Sequence, residues 1–200
     1  MGKDEKIVFQ LNHEALRCRF AFESFMLLLE RHFASLEDDY KFWFVLQERY
    51  VSWLAHMYEF MKLCWAREFE VLPHRLECYL MKEGPIQDRS ELPRLIDSLI
   101  DDSAIIAVRN ANRTSDREAV FSPGFGKLIK QIRNKYYAHP DSERMTLKKI
   151  KQFNDEHYFT ALSVYKESVL SFAGGDSLSS ESKEVLEAFR ESLLKIKKER

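Results

Sequence analysis

Residues 38–69 read DDYKFWFVLQERYVSWLAHMYEFMKLCWAREF, and the recurrence of their apolar positions decides the fold. Neither glycine nor proline interrupts the stretch, and its apolar residues return every three or four positions instead of alternating. It therefore reads as one long helix from about Asp38 to Phe69. Tyr40, Phe42, Trp43, Phe44, Tyr50, Trp53, Tyr58, Phe60, Trp65 and Phe69 supply more ring surface than one narrow stripe absorbs. The helix is expected to be central or to join a dimer contact. Asp38 and Asp39 suit its N-terminus, where acidic groups favour the helix dipole.

Working outward, the same periodicity predicts helices on both sides, punctuated by Gly and Pro. An earlier helix is expected from Asn12 as N-cap to about Leu36, with Leu16, Phe20, Phe25, Leu28, Leu29 and Phe33 as its apolar stripe. Its polar face carries Arg17, Arg19, Glu23, Glu30 and Arg31. Pro73 opens a short helix to about Lys82, ended by Gly84-Pro85, and another follows from about Glu91 to Val108. Residues 109–120 lack apolar periodicity and read as an exposed loop. Ser122-Pro123 is a cap-plus-Pro opening for a helix that stops at His139-Pro140. Thr146 caps a helix to about Phe172, and after Gly174-Gly175 a last amphipathic helix fits from Ser180 to Lys198. The fold class is all-α: one helical domain over residues 1–175 with a C-terminal helical appendage over 176–200.

Composition agrees. The 200 residues are 45% hydrophobic and 32% charged, a balance that builds one sizeable core and excludes a disordered tail. No apolar run approaches the roughly 18 residues of a membrane span. Met1 to Lys6 mix both charge signs without an apolar run behind them, so a cytoplasmic chain is expected. Cys18, Cys64 and Cys78 are odd in number and widely spaced, which predicts reduced thiols and no structural metal. A net charge of −1 at first counts against a nucleic-acid partner.

The segment with chemistry in it is Gln131-Ile132-Arg133-Asn134-Lys135-Tyr136-Tyr137-Ala138-His139-Pro140-Asp141. At 100° and 1.5 Å per residue, Arg133 and His139 lie about 120° apart around a helix and about 9 Å along it, close enough to converge on one ligand. Pro140 places the imidazole at the helix terminus, where the dipole favours its protonated form. A His that exchanges protons and an Arg that holds a phosphate suit RNA phosphodiester cleavage. The 2′-hydroxyl is then an internal nucleophile, so no metal or cofactor is called for.

Arg133-Asn134 followed by Ala138-His139 near the end of a helix resembles the signature of the HEPN superfamily (higher eukaryotes and prokaryotes nucleotide-binding). The wording is similar to its abortive-infection and toxin-like endoribonuclease branches. The resemblance implies an up-and-down helical bundle with extra terminal helices. It also implies a metal-independent endoribonuclease that acts as a homodimer with both motifs facing one another, leaves a 2′,3′-cyclic phosphate, and serves as a toxin or antiphage defence effector. Arg133 and His139 would be catalytic, and Asn134 would orient the His or the phosphate. Lys127, Lys130, Lys135, Tyr136 and Tyr137 would bind substrate, and an antitoxin or sensor protein is a candidate partner. A branch that pairs with nucleotidyltransferases carries Tyr two residues after the His, where this chain has Asp141.

Other features have blander readings. Arg49…His56 and Arg67…His74 repeat the Arg–His spacing without the Asn, the closing Pro or the surrounding bases. Taken alone, the spacing does not discriminate. His13-Glu14 and His157 form no His-x3-His pair and read as surface or satisfied core histidines. Asp101-Asp102 reads as a solvated face, and the basic residues 195–200 as a helix end. Residues 123–151 hold eight bases against Asp141 and Glu143, a local +6 that would approach about +12 across a dimer and attract phosphate. The alternative to the enzyme is a non-catalytic helical dimerisation or RNA/protein-binding module.

Overall fold

The computed structural model describes residues 3–35, 40–71, 92–114, 121, 123–134, 147–170 and 172. All the elements in it are helical, with no strand among the described residues: α1 (Lys3–Ser35), α2 (Tyr40–Val71), α3 (Leu92–Thr114), α4 (Phe125–Ile132) and α5 (Leu147–Val164), the last continued by a π-helical turn at Tyr165–Leu170. The fold is all-α. None of the described helices is long and apolar enough to cross a membrane. The short helix after Pro73 and the last amphipathic helix lie outside the described residues.

α2 is central, as its ring content predicts. Trp53 is fully buried. Around it stand Phe22 and Phe25 of α1, Tyr50 of α2, and Tyr158 and Tyr165 of the α5 segment, with ring centroids 4.2–6.5 Å apart in the contacts they make. Offset and edge-on rings of this kind add to the stabilisation from apolar burial. The first turns of α2 differ, because Trp43, Phe44 and Val45 are exposed.

α1 runs antiparallel to α2, since Glu14 meets His56, Cys18 meets Trp53 and Phe25 meets Tyr50. It begins at Lys3, well before Asn12, because Ile7 and buried Leu11 extend the packed face N-terminally and leave Asn12 mid-helix in solvent. The buried stripe matches the expected one only in part: Phe25 is buried and Leu28 and Leu29 pack partly buried against the core. Leu11, Ala15, Cys18, Ala21 and Phe25 face α2, whereas Phe20 is 51% exposed. Small side chains at 15, 18 and 21 let the helix backbones approach, so bulk was a poor guide to burial. Cys18 is buried and free, and burial raises its thiol well above the ordinary range. Cys64 is also free and is pushed up to about 12, mainly by burial. Cys78 lies outside the described residues.

α3 extends through Thr114, so Arg109–Thr114, expected in a loop, are helical. Buried Ala104, Ala107 and Val108 hold its inner face, and the turn beyond them continues the ladder with Ala111 as its one apolar residue. α5 completes the core through Phe153, His157, Ala161 and Val164.

Candidate functional site

α4 carries the start of the Arg–Asn…His segment, and its seat on α3 is built from the sequence Pro123-Gly124-Phe125-Gly126. The helix opens at Phe125, two residues later than Ser122-Pro123 suggests, because Gly124 takes a left-handed turn with φ of 86°. A side chain there would be strained. Among the described residues, no side chain from its own segment caps α4. Asp101 of α3 does so from outside, accepting hydrogen bonds from the backbone N–H of Gly126 at 2.6 Å and Gly124 at 3.3 Å. Asp101 is therefore not part of a solvated face. Burial outweighs those two donors and, with Asp102 and Asp97 nearby, holds its carboxyl above the usual carboxylate range. Gly126 lets α4 touch α3 directly, since a Cβ at that position would come within 2.2 Å of the Asp97 carbonyl oxygen.

That close seat carries the C-terminal end of α4 to α2. Arg133 continues the helix with right-handed geometry, its N–H shared between the carbonyls of Ile129 and Lys130, and with Asn134 it forms a π-type turn. Its Nε lies 2.6 Å from Glu59 Oε1 of α2, and its Nη1 donates to Asn134 Oδ1 at 2.9 Å. Lys62 pairs with the same Glu59 and stands 5.9 Å over the Tyr58 ring. Burial is the main reason that the Tyr58 hydroxyl is pushed up to about 12; Asp97 and Glu59 add to the shift and Arg133 opposes it. Arg133 and Glu59 are 35% and 21% exposed, so the pair sits half in solvent.

Of the residues singled out from sequence, the structure thus joins Arg133 to Asn134, with Asn134 holding the guanidinium. Lys130 pairs with Asp97 at 2.9 Å, and Lys127 is exposed without an ion pair among the described residues. Lys135, Tyr136, Tyr137 and His139 lie outside the described residues. The segment's surplus charge is smaller in space than along the chain. Lys130, Arg133 and Lys151 each meet a carboxylate, from Asp97, Glu59 and Asp155. Sequence reading missed Glu59 and Lys62; their three-residue spacing on the polar side of α2 was the available signal.

His157 is a core histidine but not a satisfied one. It is 1% exposed, lies against the Phe125 and Phe153 rings, and neither ring nitrogen has a hydrogen-bond partner among the described residues. Burial holds its pKa below the ordinary imidazole value, with Glu156 and Asp101 opposing. No group of three or more His, Cys, Asp and Glu side chains converges to hold a metal among the described residues. Taken together, the end of α4 defines a buttressed arginine at a helix terminus. No protein-family model, curated protein or solved structure matches the chain.

Proposed function

We propose that the chain is a HEPN-type endoribonuclease that cleaves RNA by 2′-hydroxyl attack at a composite homodimer site, as a toxin or antiphage defence effector. The observation that supports this best is the double anchoring of Arg133. Glu59 holds the guanidinium through an ion pair at Nε and Asn134 accepts a hydrogen bond from Nη1, which leaves Nη2 as the edge for a phosphate oxygen. An arginine fixed before substrate arrives needs no reorganisation as charge builds on the phosphorus. In this reading the 2′-oxygen attacks phosphorus, the 5′-oxygen leaves, and a 2′,3′-cyclic phosphate forms. His139 exchanges the proton with the attacking or leaving oxygen, and Lys127 and Lys130 hold flanking phosphates.

One observation favours the second reading, a non-catalytic dimerisation or RNA/protein-binding module. A carboxylate at 2.6 Å offsets the guanidinium charge, which suits a structural ion pair as well as a primed catalyst. The test is RNA against the matching all-DNA oligomer, with chelator present, for the wild type and His139→Ala. The enzyme reading expects cleavage of RNA alone, ending in cyclic phosphate and lost in the variant. Cleavage of DNA, or RNA binding with no cleavage by any dimeric preparation, would overturn it.

A further inference from the structure

The Arg49…His56 spacing, which lacks the motif's other marks, has a place of its own in the structure. Between α1 and α2 lies an open cleft of about 420 Å³ lined by Arg17, Phe20, Ser24, Arg49, Ser52 and His56. That volume falls within the roughly 300–1,000 Å³ of small-molecule sites. Arg17, Phe20 and Ser24 follow at helical spacing on α1, and Arg49, Ser52 and His56 do so on α2, so each helix presents one stripe. The cleft is where the two stripes meet.

Its chemistry is that of an anion site. Arg49 is exposed and has no ion pair among the described residues. Arg17 is 3.4 Å from Glu14, and the other oxygen of Glu14 lies 2.9 Å from His56 Nδ1. Although burial raises the Glu14 carboxyl, His56, Arg17 and His13 together hold it below the usual carboxylate range. An ionised Glu14 makes Nδ1 the donor and fixes the ring. Two guanidiniums from different helices and two hydroxyls suit an anion with several oxygens. Phe20, half exposed on the same stripe as Arg17, adds a ring face of the kind on which bases stack.

We infer that this cleft binds the phosphate of a nucleotide, with Arg17 and Arg49 on its oxygens, His56, Ser24 and Ser52 completing the hydrogen bonds, and the base against Phe20. The nucleotide is either free or part of a single strand. The inference does not depend on the reading of Arg133, since no residue is shared between the two sites.

Calorimetric titration of the full chain with adenosine 5′-monophosphate and adenosine, and anisotropy with a short single-stranded RNA, test it. Adenosine monophosphate is expected to bind about tenfold or more tightly than adenosine, and Arg49→Glu and Arg17→Gln each weaken it by about tenfold or more. Arg109→Glu, an exposed charge reversal on α3, is the control and leaves affinity unchanged. Binding of RNA but not of the mononucleotide, lost in Arg49→Glu, assigns the phosphate to a strand and keeps the inference. Equal affinity for adenosine and its monophosphate, phosphate-ligand affinities unaltered in both arginine variants, or no binding of either phosphate probe overturns it.

Discussion

Arg133 and Arg49 both stand six or seven residues before a histidine, yet their surroundings are opposite. Arg133 has a carboxylate at 2.6 Å and an amide oxygen at 2.9 Å; Arg49 projects into a cleft with no ion pair among the described residues. The first arginine is positioned and partly neutralised, the second is exposed and without an ion pair among the described residues. A compensated arginine attracts a resting phosphate weakly but is aligned for charge that develops during reaction, whereas an uncompensated one contributes to binding in the ground state. Of the two residues that make this distinction, Asn134 belongs to the motif and Glu59 comes from a neighbouring helix.

The largest expected effect breaks the comparison at its catalytic end. Arg133→Ala should lower kcat for RNA cleavage by about 10²- to 10³-fold with a small change in KM, since the lost contact acts on the transition state. Single-turnover kinetics check this. A rise in KM with kcat intact would make Arg133 a binding residue like Arg49 and remove the contrast.

Next in size is the seat of α4. Gly126→Ala places a methyl against the Asp97 carbonyl and the Ile100 side chain, and overpacking of this kind costs about 1–3 kcal/mol. The expected result is a lower denaturation midpoint, with backbone amide shifts confined to α3, α4 and Glu59 and the α1–α2 cleft undisturbed. Asp101→Ala, which removes the outside cap, should cost about 1 kcal/mol. Asp101→Asn should cost less, because its single amide oxygen can keep the shorter bond from Gly126 while the longer one from Gly124 is lost, and it discards a charge that burial already disfavours.

A pH measurement separates this core from the surface sites. His157 has a depressed pKa in the folded state, while the unfolded chain binds a proton near the ordinary value of 6.5. Stability is therefore full above that value and is lost as pH falls through it, because the unfolded state takes up the proton first. His157→Leu should flatten the dependence of the denaturation midpoint between about pH 7 and 5, and should gain about 1 kcal/mol at neutral pH by removing buried nitrogens that make no hydrogen bond among the described residues. An unchanged acid slope would show that another group controls it.

These sites differ in how far the sequence discloses them. Helical class and the central place of α2 were legible, because they rest on periodicity; the hydrogen bond from Arg133 to Asn134 was not, since Asn134 was expected to orient the His or the phosphate. What periodicity cannot convey is which neighbour a helix meets. Phe20 reads as core by its size, but small Ala15, Cys18 and Ala21 take the contact and turn it outward. Asp101 reads as solvated beside Asp102 until the N–H groups of Gly124 and Gly126 arrive from 23 and 25 residues away. The +6 of residues 123–151 was correct as a sum along the chain, yet Glu59 and Asp97 on other helices offset part of it.

The smallest expected effect is the sharpest test of the contrast, because Glu59→Gln makes Arg133 electrostatically similar to Arg49. The carboxamide keeps the shape of the side chain and Asn134 keeps its hydrogen bond to Nη1, so alignment survives while the offsetting charge is gone. Lys62 loses its partner in the same change, which adds to the positive field. For a half-exposed pair the screened gain is about 0.2–1 kcal/mol, so KM for RNA should fall by up to a few-fold with kcat little altered. Glu59→Ala removes the side chain beside the guanidinium as well and should lower kcat. If the two variants behave alike and KM rises in both, Glu59 contributes only orientation, and charge compensation is not what distinguishes the two arginines.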